Sequence, residues 1–95
     1  MQRHQFKRGR KLPKGVRFVA RPSRWGNPYK IPPHTREEAM RLYRAHAEAK
    51  LREDPQWLDP LMEAEGLACY CRPDQLCHAD VLIEMVEKRD SKRIQ

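Results

Sequence analysis

Leu67-Ala68-Cys69-Tyr70-Cys71-Arg72-Pro73-Asp74-Gln75-Leu76-Cys77-His78-Ala79-Asp80-Val81 is the stretch that decides how this chain is read. Residues 67–71 are small or apolar and read as a short strand, and Pro73-Asp74 marks a turn. From Cys77 a helix is expected to about Lys88, with Val81, Leu82, Met85 and Val86 facing the core. All three cysteines of the chain lie in this stretch. Cys69 and Cys71 are two apart on a strand, so they share one side while Tyr70 points to the other. Cys77 and His78 stand at a helix start, where free amides and the positive dipole end lower a thiol's pKa and welcome an anion.

Upstream, residues 66 and below supply the flanking elements. Gly66 is expected as the left-handed residue that ends a helical turn. Asp54-Pro55 and Asp59-Pro60 each read as an N-cap followed by proline, which makes two short helical turns with Trp57, Leu58, Leu61 and Met62 packed inward. Thr35-Arg36-Glu37-Glu38 has the spacing of a capping box, and a helix runs from it to about Leu51. Its buried stripe is Ala39, Leu42, Tyr43, His46 and Ala47, with His46 read as a packed histidine rather than a ligand. Residues 16–20 alternate and are β-prone. Arg21-Pro22-Ser23-Arg24-Trp25-Gly26-Asn27-Pro28-Tyr29 follows as a shaped loop, because its prolines, glycine and asparagine forbid regular structure. Residues 1–15 lack periodicity and read as a basic mobile arm or a ragged first strand, and residues 91–95 as a frayed tail.

Strands alternating with helices predict a single small α/β domain over residues 16–90, with a short, mainly parallel sheet covered by helices. Ligands of such sheets lie beyond the carboxyl ends of the strands, so the loop at 21–29 and the loop at 71–78 are expected at one edge.

Ninety-five residues suit one domain. The first thirty residues hold ten lysines and arginines and no acid, while the remainder nets −3, for a total of +7. That asymmetry attracts polyanions, so a nucleotide or nucleic acid is the expected partner of the basic N-terminal third. No apolar run reaches the roughly 20 residues of a membrane span, no signal peptide is expected, and a cytoplasmic setting follows. Three cysteines in a reducing compartment point to metal ligation, reactive thiols or packing rather than to disulfides.

Three readings of the cysteine edge stay open. In the first, the helix start binds a phosphate or carboxylate, Cys77 and His78 act as the reactive pair, Arg21 supplies a bidentate charge, Asn27 orients an amide or base edge and Trp25 stacks on a ring. Ser23, Cys69, Cys71 and Asp80 complete that binding group, and no cofactor is needed. In the second, Cys69, Cys71, Cys77 and His78 form a zinc site of three thiolates and an imidazole, though Cys-x-Cys with an adjacent Cys-His departs from the usual knuckle spacing. In the third, the cysteines are small buried hydrophobes.

The two loops also carry a resemblance. Arg21 to Tyr29 is similar to the Arg-Pro-Ser-Lys-Trp-Gly-Asn-Pro-Phe signature of the bacterial and phage domain of unknown function 4326, and Cys69-Tyr70-Cys71 with Cys77-His78-Ala79-Asp80-Val81-Leu82 resembles its Cys-Trp-Cys and Cys-His-Gly-Asp-Val-Leu signature. Tyr29, Tyr70 and Ala79 are the departures. The Cys-His end is more faintly similar to domain of unknown function 488. The resemblance implies a compact α/β domain and a bacterial or phage setting, with host cytoplasm as the location if phage-encoded. The functional expectation is a protein that binds a nucleotide or nucleic-acid phosphate in a two-loop cleft and acts on it enzymatically. The alternative is a non-enzymatic module that binds nucleic acid or a host protein and holds a structural zinc.

Overall fold

The computed structural model describes residues 1–94 apart from Pro22, Pro32 and Pro73, with side chains as far as Arg89. Its elements are β1 (Gln2–Gln5), β2 (Val16–Phe18), α1 (Arg36–Glu53), α2 (Asp59–Met62), β3 (Gly66–Cys69) and α3 (His78–Ile94). The strands form one parallel sheet in the order β1-β3-β2, as the α/β expectation required.

β3 lies in the middle because its four residues, Gly-Leu-Ala-Cys, are small or apolar enough to be buried throughout. Gly66 stands opposite Gln2 on one side and Val16 on the other. The ladders run on beyond the strands through Phe6 N to Cys69 O (2.7 Å) and Val19 N to Ala68 O (2.9 Å). Gln2–Gln5 is thus the edge strand of the sheet, the ragged-strand reading of the N-terminus rather than the mobile arm. Composition hid it, since a four-residue strand of Gln, Arg, His and Gln has no apolar alternation to display. At the other end α3 continues to Ile94, past the point where fraying was expected, and Gln95 lies outside the described residues.

Pleat alternation divides the sheet. Leu67 and Cys69 face α1 and α3, within a core that also holds Tyr43, Leu58, Leu61 and Leu82. Arg3, on the same side, reaches Asp80 of α3 at 3.0 Å. Gly66 and Ala68 face the other way.

Gly66 corrects the sequence reading. Among the described residues only Gly9 and Gly15 have positive φ, so Gly66 does not close a helix. It is glycine because a Cβ would stand 2.7 Å from the His4 ring and 2.8 Å from the Gln2 carbonyl oxygen.

The capping box forms as read, with Glu38 N donating to Thr35 Oγ1 at 3.1 Å and Thr35 N to Glu38 Oε1 at 3.3 Å. The Thr35 hydroxyl, donating to Glu38 Oε1 at 3.0 Å, and then the Thr35 N–H hold the Glu38 carboxyl below its ordinary value. α1 stops at Asp54, whose neighbour Pro55 disfavours further helix. The Asp59 carboxylate caps nothing: the cap of α2 is Leu58, and Asp59 pairs with Arg89 of α3 at 2.9 Å. No helix of the described residues is long and apolar enough to cross a membrane.

Gly66→Ala is therefore expected to destabilise the domain, although alanine ordinarily improves on glycine in a strand. Overpacking against backbone costs roughly 1–3 kcal/mol, and a thermal melt should fall by about 5–15 °C. A melting temperature at or above that of the wild type would show that β1 yields easily.

Candidate functional site

β2 and β3 end side by side, so the chain leaving each one meets the other. Between them lies a cavity of about 400 Å³, lined by Arg21 and Asn27 from the first loop, by Cys69, Cys71 and Cys77 from the second, and by Arg36 from the start of α1. The expectation that two loops fifty residues apart would share one edge is met. The reason is topological, since parallel strands all deliver their following loops to the same end.

The three sulfurs converge from three local structures. Cys69 closes β3 on the helix side, Cys71 follows two residues later on that side, and Cys77 directly precedes α3, where its carbonyl accepts from Asp80 N at 2.9 Å. All three are free thiols, and their Sγ atoms lie within 4.8 Å of one another. Cys69 Sγ and Cys77 Sγ are 2.6 Å apart, within hydrogen-bond reach, and either thiol can be the donor.

Arg36 gives the cluster its polarity. Its Nη1 donates to Cys71 Sγ at 3.5 Å and to the Leu76 carbonyl at 3.0 Å. Hydrogen bonds from the Cys69 and Cys77 thiols, joined by that guanidinium, hold the Cys71 thiol far below the ordinary range. Cys77 moves the opposite way, pushed up by its bonds to Cys69 and Cys71 and by burial, and Cys69 is also raised, through Cys71 first. The helix start was expected to make Cys77 the low-pKa thiol. The lowered thiol is instead Cys71, the half-buried sulfur beside an arginine, because Cys77 is buried and hydrogen-bonded to the other two sulfurs in its protonated form.

His78 is buried beside it. Its Nε2 donates to the Val19 carbonyl at 2.8 Å, which leaves Nδ1 as an acceptor 3.7 Å from Cys77 Sγ. Burial lowers its pKa, so the ring is neutral. Tyr43 packs its ring edge on His78 and donates its hydroxyl to the Trp25 carbonyl at 2.5 Å, and burial pushes that phenol far above its usual value. His46 is also a packed ring, against Tyr43 and Tyr29, rather than a ligand.

Several expected site residues have other work. Trp25 is buried and donates its indole N–H to the Trp57 carbonyl at 3.0 Å, so it ties the loop to the core and offers no stacking face to the cavity. Asn27 lines the cavity, but its Oδ1 accepts from Tyr29 N at 2.9 Å and its Nδ2 donates to Ala39 O at 3.4 Å, so its amide shapes the loop. Ser23 does not line the cavity, and its buried hydroxyl has no partner among the described residues. Asp80 lies outside it, paired with Arg3. Arg21 is at the mouth, exposed, with neither a hydrogen bond nor an ion pair among the described residues.

Sequence reasoning missed Arg36 and the apolar wall of Tyr29, Ile31, Met40 and Leu76. One signal for Arg36 was present. A cation at the first position of a helix opposes the dipole, and such a misfit asks for a partner elsewhere.

For a metal ion, the donor group among the described residues is Cys69, Cys71 and Cys77. His78 does not belong to it, since its Nδ1 approaches Cys77 alone, so the expected set of three cysteines and a histidine reduces to the three cysteines. The sulfur chemistry suits zinc. Two sulfurs bound tetrahedrally at zinc–sulfur distances of about 2.3 Å sit roughly 3.8 Å apart, so the Cys69–Cys77 pair would have to open by about 1 Å.

A family model described as Domain of unknown function (DUF4326) matches residues 2–88, a span that includes β1 and every residue of the cavity. Comparison with curated proteins and with solved structures finds no match.

The lowered thiol makes a direct prediction. A group whose pKa falls below the ordinary range is already ionised where a free thiol is protonated. Iodoacetamide should therefore modify Cys71 first, at a rate that stays flat from pH 9 to 6.5, whereas a thiol with pKa of about 8.5 slows nearly tenfold per unit. Arg36→Ala should restore part of the ordinary pH dependence, read by mass spectrometry of the Cys71 peptide.

Proposed function

The chain belongs to the DUF4326 family, and we propose that it binds a nucleotide-class ligand in the cavity between its two loops and acts on it through the Cys71 thiolate. The observation that carries this reading is the joining, in one cavity, of a cysteine sulfur bonded to Arg36, an exposed cation, Arg21, without a partner among the described residues, and an apolar wall. A ring and an anion on one molecule match such a lining: the ring against Tyr29, Ile31 and Met40, the phosphate on Arg21. Cys71 then stands beside the bound ligand with its sulfur held by Arg36. Cys77 and His78, the pair first expected to react, stand behind it, with the neutral His78 Nδ1 turned toward Cys77.

A second reading has its own observation, the convergence of three sulfurs within 4.8 Å. We infer from it that Cys69, Cys71 and Cys77 hold zinc, in which case Arg36 offsets the excess negative charge of three thiolates on a divalent ion. The two readings differ in what happens to Cys71. A zinc-bound thiolate resists alkylation, and a free one does not.

Melting the protein with nucleoside mono-, di- and triphosphates and with inorganic phosphate tests the first reading. A ligand at about a hundred times its Kd stabilises by roughly 2.7 kcal/mol, a rise of about 10 °C or more in a domain of this size. Arg21→Ala, on an exposed side chain, should weaken binding about 10–100-fold with the melting temperature of the free protein unchanged. Bound ligand should protect Cys71 from iodoacetamide. If no nucleotide moves the melt, and metal analysis finds one zinc per chain with Cys71 unreactive, the metal reading replaces the nucleotide one.

A further inference from the structure

The helices gather on one face of the sheet, and the opposite face carries aromatic rings. By the strand registers His4, Phe18 and Ala68 lie on that face, and Phe6 and Tyr70 follow one residue beyond β1 and β3. The three larger rings meet edge to face: Phe6 with Phe18 at 5.2 Å between centroids, and each of them with Tyr70 at 5.5 Å. Tyr70 is 57% exposed. Core packing accounts for Phe6 and Phe18 as half-buried supports, but it does not account for a tyrosine left standing in solvent on top of them.

The connection between β1 and β2 crosses this same face. β2 reaches β3 through helices on one side of the sheet. The step from β1 to β2 runs across the sheet in the opposite direction, so a right-handed connection has to pass on the other side. Accordingly Lys7, Arg10 and Lys11 share a groove of about 240 Å³ with His4 and Phe6. These cations and their neighbours Arg8 and Lys14 are exposed, and their side chains have no ion pair among the described residues.

We infer that this face binds single-stranded nucleic acid, with a base stacked on Tyr70 and backbone phosphates on Lys7, Arg10 and Lys11. A single strand offers both halves of that chemistry, an unpaired ring and a phosphate a few ångströms away. A duplex keeps its bases inside its own stack, and an acidic peptide segment would meet the cations but leave the aromatic platform unused. Tyr70 also borders the cysteine cavity, but its ring packs on Phe6 and Phe18, on the side of the sheet opposite Cys69 and Cys71, so the platform adjoins that cavity without sharing its sulfurs.

Fluorescence anisotropy with the full chain and labelled ten-nucleotide DNA and RNA single strands, at about 50 and 200 mM salt, tests this. Single strands should bind more tightly than a duplex of the same sequence. Three phosphate contacts give a slope of log affinity against log salt near −2, and Lys7→Ala and Lys11→Ala should each reduce it by about 0.7. Tyr70→Ala, on an exposed side chain, should weaken binding about tenfold, Tyr70→Phe should retain it, and Cys71→Ser should leave it unchanged. The inference is overturned if no strand binds, if duplex or polyglutamate binds as tightly as the single strand, or if Tyr70→Ala binds like the wild type.

Discussion

Everything in this molecule hangs on the pairing of β3 along both of its edges. A central strand must be buried on two faces and hydrogen-bonded on two sides, and Gly66–Cys69 meets that demand with small residues throughout. Gly66 accepts the His4 ring across it, Leu67 and Cys69 enter the helix-side core, and Ala68 leaves room beneath the rings of the opposite face. Because both neighbours run parallel to β3, the loops after β2 and β3 arrive together. The cavity is a consequence of that parallel pairing, and so is the convergence of the cysteines.

The site shares its supports with the core. Arg3 of β1 spans the cysteine loop, donating to Gln75 O at 2.7 Å, to Arg72 O at 3.1 Å and to the Asp80 carboxylate. Trp25 and Arg24 both donate to the Trp57 carbonyl, and the Arg24 guanidinium lies 4.7 Å from the Trp25 ring centre, so the first loop is bound to the turn before α2. Residues that sequence chemistry would assign to ligand binding thus hold the walls in place. Buried donors must find acceptors, and in a domain of this size loop carbonyls are the acceptors within reach.

The cysteine cluster shows how little composition says about reactivity. Three thiols of one type acquire different properties within a few ångströms, with Cys71 lowered because it receives hydrogen bonds from Cys69 and Cys77 and then from Arg36, and Cys77 raised by its bonds to Cys69 and Cys71 and by burial. Negative charge in such a group settles where a cation and solvent can reach it. The hydrogen bonds that Cys69 and Cys77 direct at Cys71 select that sulfur first, and the arginine at the first turn of α1 adds to them.

Local patterns were legible in the sequence wherever their physics is local. The Thr35–Glu38 capping box, the apolar spacing of α1 and α3 and the β-prone Val16–Phe18 depend on neighbours a few residues away, and parallel α/β order followed from their succession. The meeting of the 21–29 and 71–78 loops followed from that order too. What depended on distant partners was not legible. Gln2–Gln5 becomes a strand only because β3 has an open edge, and Gly66 is required by a ring sixty-two positions earlier in the chain. Trp25 becomes a core anchor only because Trp57 offers a carbonyl, and Cys71 rather than Cys77 is the lowered thiol because the fold turns the other two sulfurs, and then Arg36, toward it. Sequence by itself determined the locally coded elements and the meeting of the two loops at one edge; the tertiary structure decided the edge strand and each residue's role at the site, since burial and hydrogen-bond partners are properties of the assembled fold.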